Sequence, residues 1–173
     1  MVHEENNAML LPDDLELLRL CARIERNCAK LYRYFGKLFG SDREIAALWC
    51  RTAIEEDNHA EQFNLAANLK GTNMIGIRVD SLKLMEVLKD TELLLKKVRK
   101  SPPTVKEALG MAVDLEDRLS SCHMNTLVVF SDKSLGKLFE AMGSYGNMHL
   151  KKLQGALTKI SRNMDSPGGI QMI

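Results

Sequence analysis

Residues 49–63 read Trp49-Cys50-Arg51-Thr52-Ala53-Ile54-Glu55-Glu56-Asp57-Asn58-His59-Ala60-Glu61-Gln62-Phe63. Wound as a helix, the stretch puts Glu56 and His59, three residues apart, on one face and nearly one above the other. Trp49, Thr52, Ala53, Ala60, Phe63, Ala66 and Ala67 share that face. A carboxylate and an imidazole therefore point to the apolar side of a helix. Burying a bare carboxylate costs several kcal/mol unless something compensates its charge. A bound cation is one such compensation.

The same pattern recurs outward from this stretch. Leu11-Pro12-Asp13-Asp14 reads as a helix start, with proline in the first turn and acids at the positive end of the dipole. The apolar face that follows runs Leu15, Leu18, Cys21, Ala22, Cys28, Ala29, Tyr32, Phe35 and Phe39, and Glu25 is its one intruder. Gly40 ends this helix A in the C′ position. Ser41-Asp42-Arg43-Glu44 is read as a capping box that opens helix B, which runs to about Leu69 and stops at Gly71. Residues 72–80 have no helical period and are expected to be a loop. Ser81 is expected to cap a crossover helix through Leu82, Met85, Leu88 and Leu95, before Ser101-Pro102-Pro103 breaks the chain.

Thr104-Val105-Lys106-Glu107 is a second capping box and opens helix C. Its face reads Leu109, Ala112, Val113, Glu116, Leu119, His123 and Leu127, again with a single carboxylate in the stripe. A turn at Ser131-Asp132-Lys133-Ser134 leads to helix D, whose face carries Leu135, Leu138, Phe139, Met142, Gly146, His149, Leu150 and Leu153. The halves echo each other. Glu25 is followed by Glu56 and His59 after 31 and 34 residues, and Glu116 by Gly146 and His149 after 30 and 33. The expected fold class is all-α, a four-helix bundle of ferritin-like connectivity. Hairpin A/B spans about 12–70, the crossover with its extra helix 71–103, and hairpin C/D 104–162, with a tail at 163–173. The whole, 1–173, is one domain.

Composition agrees. Aromatics are 5% of the residues and prolines number four, a mix that favours helix over strand. A chain of 173 residues is long enough to bury a core. The formal charge of +1 predicts neither a nucleic-acid nor a membrane partner. The polar start Met-Val-His-Glu-Glu-Asn-Asn lacks the pattern of a signal peptide, and no stretch is apolar for long enough to cross a bilayer. Cys21, Cys28, Cys50 and Cys122 form no Cys-x-x-Cys pair, which fits small core residues in a reducing cytoplasm.

With these positions in place, the sequence resembles the rubrerythrin branch of the ferritin-like superfamily across most of its length. That family carries a dinuclear iron centre, sometimes manganese, in its bundle. One Glu comes from each of the first and third helices, and a Glu-x-x-His from each of the second and fourth. The resemblance implies Glu25 and His59 as terminal ligands of one metal, Glu56 as a bridge, and Glu116 and His149 as ligands of the other. The cofactor it implies is iron, with manganese or zinc also suited to such a donor set.

The chain departs from the family at Gly146-Asn147-Met148-His149, where Glu-x-x-His should stand. A bridging carboxylate neutralises two cations about 3.5–4 Å apart, so its loss leaves a net positive pair or a single metal held by Glu25, Glu56 and His59. The family's Cys-x-x-Cys iron–sulfur domain is absent as well, so an oxidoreductase of this type needs a separate electron-donor protein.

Blander readings compete at each position. Glu25 could pair with Arg23 or Arg26, although both lie elsewhere on the helical wheel. Glu56 and His59 could belong to a charged face with Glu55, Asp57 and Glu61. Glu116 could be a surface acid beside Asp114 and Asp117, and His149 a core histidine. His123 is read as a buried neutral histidine, and Tyr32, Cys21 and Cys28 as packing residues, with a hydrogen bond from Tyr32 to a ligand as the alternative. The function expected is metal-dependent handling of peroxide, oxygen or iron. The alternatives are a non-catalytic single-metal module and a metal-free helical scaffold. By resemblance to bundles that pair through helices A and B, a homodimer is expected.

Overall fold

Acidic side chains set the helix starts. The structure, a computed structural model, describes residues 13–69, 74–77, 80–119, 128–143 and 147–165. Helix α1 spans Asp14–Leu38, and the Asp13 side chain accepts the Glu16 amide at 2.8 Å. The chain leaves the helix at Phe39, with Gly40 beyond it. Helix α2 spans Arg43–Leu69. Its cap is Asp42, not the expected Ser41–Glu44 box: Asp42 Oδ1 accepts the amides of Glu44 and Ile45 at 3.0 and 3.1 Å. An anionic acceptor one residue nearer satisfies these donors, and Glu44 reaches Lys159 instead.

The stretch expected to be a loop at 72–80 holds a strand, β1 (Met74–Ile77). Asp80, rather than Ser81, caps the next helix, α3 (Ser81–Lys100), by accepting the Leu82 amide at 2.9 Å. Helix α4 is Val105–Leu119. Its capping box forms as expected: the Glu107 amide donates to Thr104 Oγ1 at 3.3 Å, and the Thr104 amide to Glu107 Oε2 at 2.8 Å.

Where helix C was expected to run toward Leu127, the described helix ends at Leu119 and a second strand, β2 (Val128–Phe130), follows the undescribed residues between. β1 and β2 pair antiparallel, Met74 with Phe130 and Ile77 with Val128, with an irregularity between Met74 and Gly76. β-branched Ile75, Ile77, Val128 and Val129 favour this local ribbon. The expected helix D is described as two pieces, α5 (Lys133–Gly143) and α6 (Asn147–Asp165). The class is all-α, with this one short ribbon among the described residues.

Cross-helix bonds fix the directions. Arg26 reaches Glu61 and Arg33 reaches Asp57, so α2 runs against α1. Asn27 bonds Thr91 and Tyr34 bonds the Val98 carbonyl, so α3 runs with α1. From the Asp90–Arg118 bond a cleft extends along α3 as far as Lys97 and along α4 as far as Met111, so α4 runs against α3. Lys152 meets Glu55 and Lys159 meets Glu44, so α6 runs against α2. Therefore α1 and α6 point one way, α2 and α4 the other.

At the turn end of the α1–α2 pair, Trp49 stacks on Tyr32 (ring centroids 5.7 Å apart) and packs against Phe35 (5.0 Å). Gly36 lies at this contact, where a Cβ would stand 3.4 Å from Cys50 Sγ and 3.5 Å from Trp49 Cβ, at van der Waals distance. Among the described residues no helix is long and apolar enough to cross a membrane.

Candidate metal centre

Period and packing together turn three donors inward. Glu25 on α1, and Glu56 and His59 on α2, are 1%, 0% and 8% exposed. Because α1 and α2 are antiparallel and closely packed, these side chains meet. His59 Nδ1 lies 3.1 Å from Glu56 Oε2 and 3.9 Å from Glu25 Oε2. One ligand atom from each of the three lies within 4.8 Å of the others. Glu25 Oε2 has no hydrogen-bond partner among the described residues.

The competing partners for Glu25 are engaged elsewhere: Arg23 donates to Glu92 at 2.8 Å and Arg26 to Glu61 at 3.1 Å. Asp57 and Glu61 are likewise turned outward in ion pairs, so Glu56 and His59 do not belong to that charged face.

Glu116, on α4, is 1% exposed while its neighbours Asp114 and Asp117 are exposed. It accepts a hydrogen bond from the Tyr32 hydroxyl at Oε1. Tyr32 thus packs on Trp49 and also holds a carboxylate, joining the two roles weighed for it. Glu116 is buried near the centre, but the close triplet is Glu25, Glu56 and His59. His149 lies in the first turns of α6 and its side chain is outside the described residues, as are Gly146, His123 and Cys122.

The electrostatics follow from the packing. Burial raises the carboxyl pKa of Glu25 well above the ordinary range, and the adjacent charge of Glu56 raises it further. Burial likewise raises Glu56, with Glu116 adding to it. Burial first, then the charge of Glu116, pushes the Tyr32 phenol up. The Cys28 thiol, one turn from Glu25, is raised by burial and then by Glu25, Glu56 and Glu116, so it belongs to the same electrostatic neighbourhood. Gln62, three residues beyond His59, is 3% exposed, and helical spacing alone puts it near the inward face of α2.

The triplet could hold a metal ion. Donor atoms bound at about 2.0–2.2 Å to one ion lie roughly 2.8–3.6 Å apart in octahedral and tetrahedral geometries. The distances of 3.1 and 3.9 Å need only a small closing motion. A cation would also offset the negative charge that burial disfavours on Glu25 and Glu56, and it would give Glu25 Oε2 a partner. Two carboxylates and an imidazole suit iron, manganese or zinc and do not choose among them. Comparison with protein families, with characterised proteins and with solved structures finds no match for the chain.

Proposed function

We propose that the chain is a ferritin-like metal protein of rubrerythrin type, a non-haem iron oxidoreductase acting on peroxide, oxygen or iron. The observation that carries this reading is the buried meeting of Glu25, Glu56 and His59, with a carboxylate oxygen that lacks a donor. The helix directions support the bundle: α1 and α6 run one way, α2 and α4 the other, with α3 in the crossover between the pairs. Glu25, Glu56 and His59 would hold the first metal, and the resemblance assigns Glu116 and His149 to a second. Iron bound there would supply the electrons that reduce an O–O bond, and the donor protein would restore them.

The chain's own residues set the conditions for that chemistry. Metal uptake would compete with protons at Glu25 and Glu56, whose carboxyl pKa values are raised by burial. Tyr32 keeps its phenolic proton and directs it at Glu116 Oε1, orienting that carboxylate. Small buried Ala22, Ala53 and Ala60 lie on the helix faces that carry the ligands, and this burial keeps bulk water out. A homodimer, a separate electron-donor protein and a reducing cytoplasm are part of the same proposal.

A second reading, a single-metal module without catalysis, is favoured by one specific observation: three donors converge while Glu116 is engaged by Tyr32. Metal analysis of chain purified without chelator separates the two. About two equivalents of iron support the dinuclear centre and about one supports the module. No metal, with thermal stability undiminished by EDTA, contradicts both and leaves a scaffold. Peroxide turnover with an artificial donor then separates catalysis from binding. Gly146→Glu should raise the stoichiometry if the missing carboxylate limits it; an unchanged value contradicts that account of the defect.

A further inference from the structure

Between Arg19 and Lys37, the strongly exposed positions of α1 are Arg19, Arg23, Arg26, Lys30, Arg33 and Lys37. Alternate spacings of four and three residues align them along one face, about 27 Å long at 1.5 Å per residue. Arg23, Arg26 and Arg33 pair with Glu92, Asp57 or Glu61 of the flanking helices. Arg19, Lys30 and Lys37 have no ion-pair partner among the described residues. Because α3 runs beside α1 in the same direction, its Lys96, Arg99 and Lys100 extend the basic face at the end where Tyr34 meets Val98. Residues 26–41 and 93–101 contain no acid. Helix C-termini favour cations, which accounts for Arg99 and Lys100 but not for a row that starts in the second turn of α1.

We propose that this face docks a small acidic electron-carrier protein, an inference that rests on the redox reading of the centre. Glu25 lies about 120° around the same helix from this row, so a docked carrier stands within about one helix diameter, 10–12 Å, of the centre. The carrier's reduced centre would lose one electron, and a metal ion bound by Glu25, Glu56 and His59 would gain it. No bond, proton or leaving group crosses the interface. A second copy is not the occupant, since two such faces would set cations against cations, so the proposed homodimer would pair away from this row. Asp57, Glu61 and Glu92 are interspersed among the cations, a mixed pattern that a protein surface can match and a uniform phosphate backbone cannot. Complementary charge of this kind gives fast, salt-sensitive, weak association.

The test titrates an acidic [2Fe–2S] ferredoxin into the whole chain at low salt, both metal-loaded and stripped by chelator. Binding to both forms, falling steeply with salt and at least tenfold weaker for Lys30→Glu/Lys37→Glu, is expected. Lys137→Glu/Lys151→Glu, the same charge change on α5 and α6, should bind as the parent does. Circular dichroism checks the fold of the first variant, and Lys96→Glu/Arg99→Glu should reproduce its loss independently. Equal binding by ridge and control variants overturns the docking face, as does a 20-base-pair DNA duplex that binds it more tightly than the ferredoxin. If the ridge variants lose binding but the loaded chain accepts no electron, the docking face stands and the redox reading falls. If electrons pass equally into ridge and control variants, the reverse holds.

Discussion

Glu25 illustrates how much one side chain decides. It is buried, charged at neutral pH when unfolded, and without help from the two arginines beside it in sequence. If it is kept to bind a cation, it should burden the metal-free fold. Glu25→Met is expected to stabilise the chelator-stripped chain by about 1–4 kcal/mol in urea denaturation, as apolar replacements of buried charges do, while abolishing metal binding. A loss of stability would instead make the carboxyl a structural group.

The pH dependence has a definite sign. The folded-state pKa values of Glu25 and Glu56 lie above the unfolded value near 4.5, so the metal-free fold binds more protons than the unfolded chain between them. Their contribution is complete below about pH 4.5 and is lost as pH rises through the raised values. Melting temperatures of stripped protein across pH 4–8 should therefore fall relative to those of Glu25→Gln/Glu56→Gln, and parallel curves would contradict the assignment. The inward positions of Glu25, Glu56, His59 and Glu116 were legible because each interrupts an apolar stripe at helical spacing. Tyr32's bond to Glu116 was not fixed by the sequence, since it depends on which helix α1 meets eighty-four residues later.

Among the elements, the long helices were readable from period and punctuation, and the Thr104–Glu107 box formed as its spacing required. The errors fall where two neighbours compete for one role. Ser41 and Asp42 are both good caps, and the anion took the position. Asp42→Ala should cost about 1 kcal/mol and Ser41→Ala only a few tenths, by thermal denaturation; the reverse order would restore the Ser41 box. The strands β1 and β2 escaped because four and three residues are too few to display an alternation. Gly110 and Gly155 lie inside helices with open space where a Cβ would go. Gly110→Ala and Gly155→Ala should each stabilise by about 0.5–1 kcal/mol, and a destabilisation would mean those positions are in contact.

For the molecule as a whole, the ion pairs that join α6 to α2, Lys152–Glu55 and Lys159–Glu44, lie at or near the surface and add little individually. What orders the chain is apolar packing around Trp49, Tyr32, Phe35 and Phe63, with the carboxylates set inside it. Helix directions could not be read locally, because they follow from pairings such as Asn27 with Thr91 and Arg26 with Glu61 that join distant segments. A cation bound by the folded state alone would stabilise the whole molecule in proportion to the logarithm of its concentration above Kd. The most direct measurement is an anomalous-difference map from crystals of chain prepared without chelator and soaked in ferrous or manganous salt. A peak about 2.0–2.3 Å from donor atoms of Glu25, Glu56 and His59 is expected. Density no heavier than water between those three side chains, under the same soak, would contradict the proposal that they are buried to hold a metal.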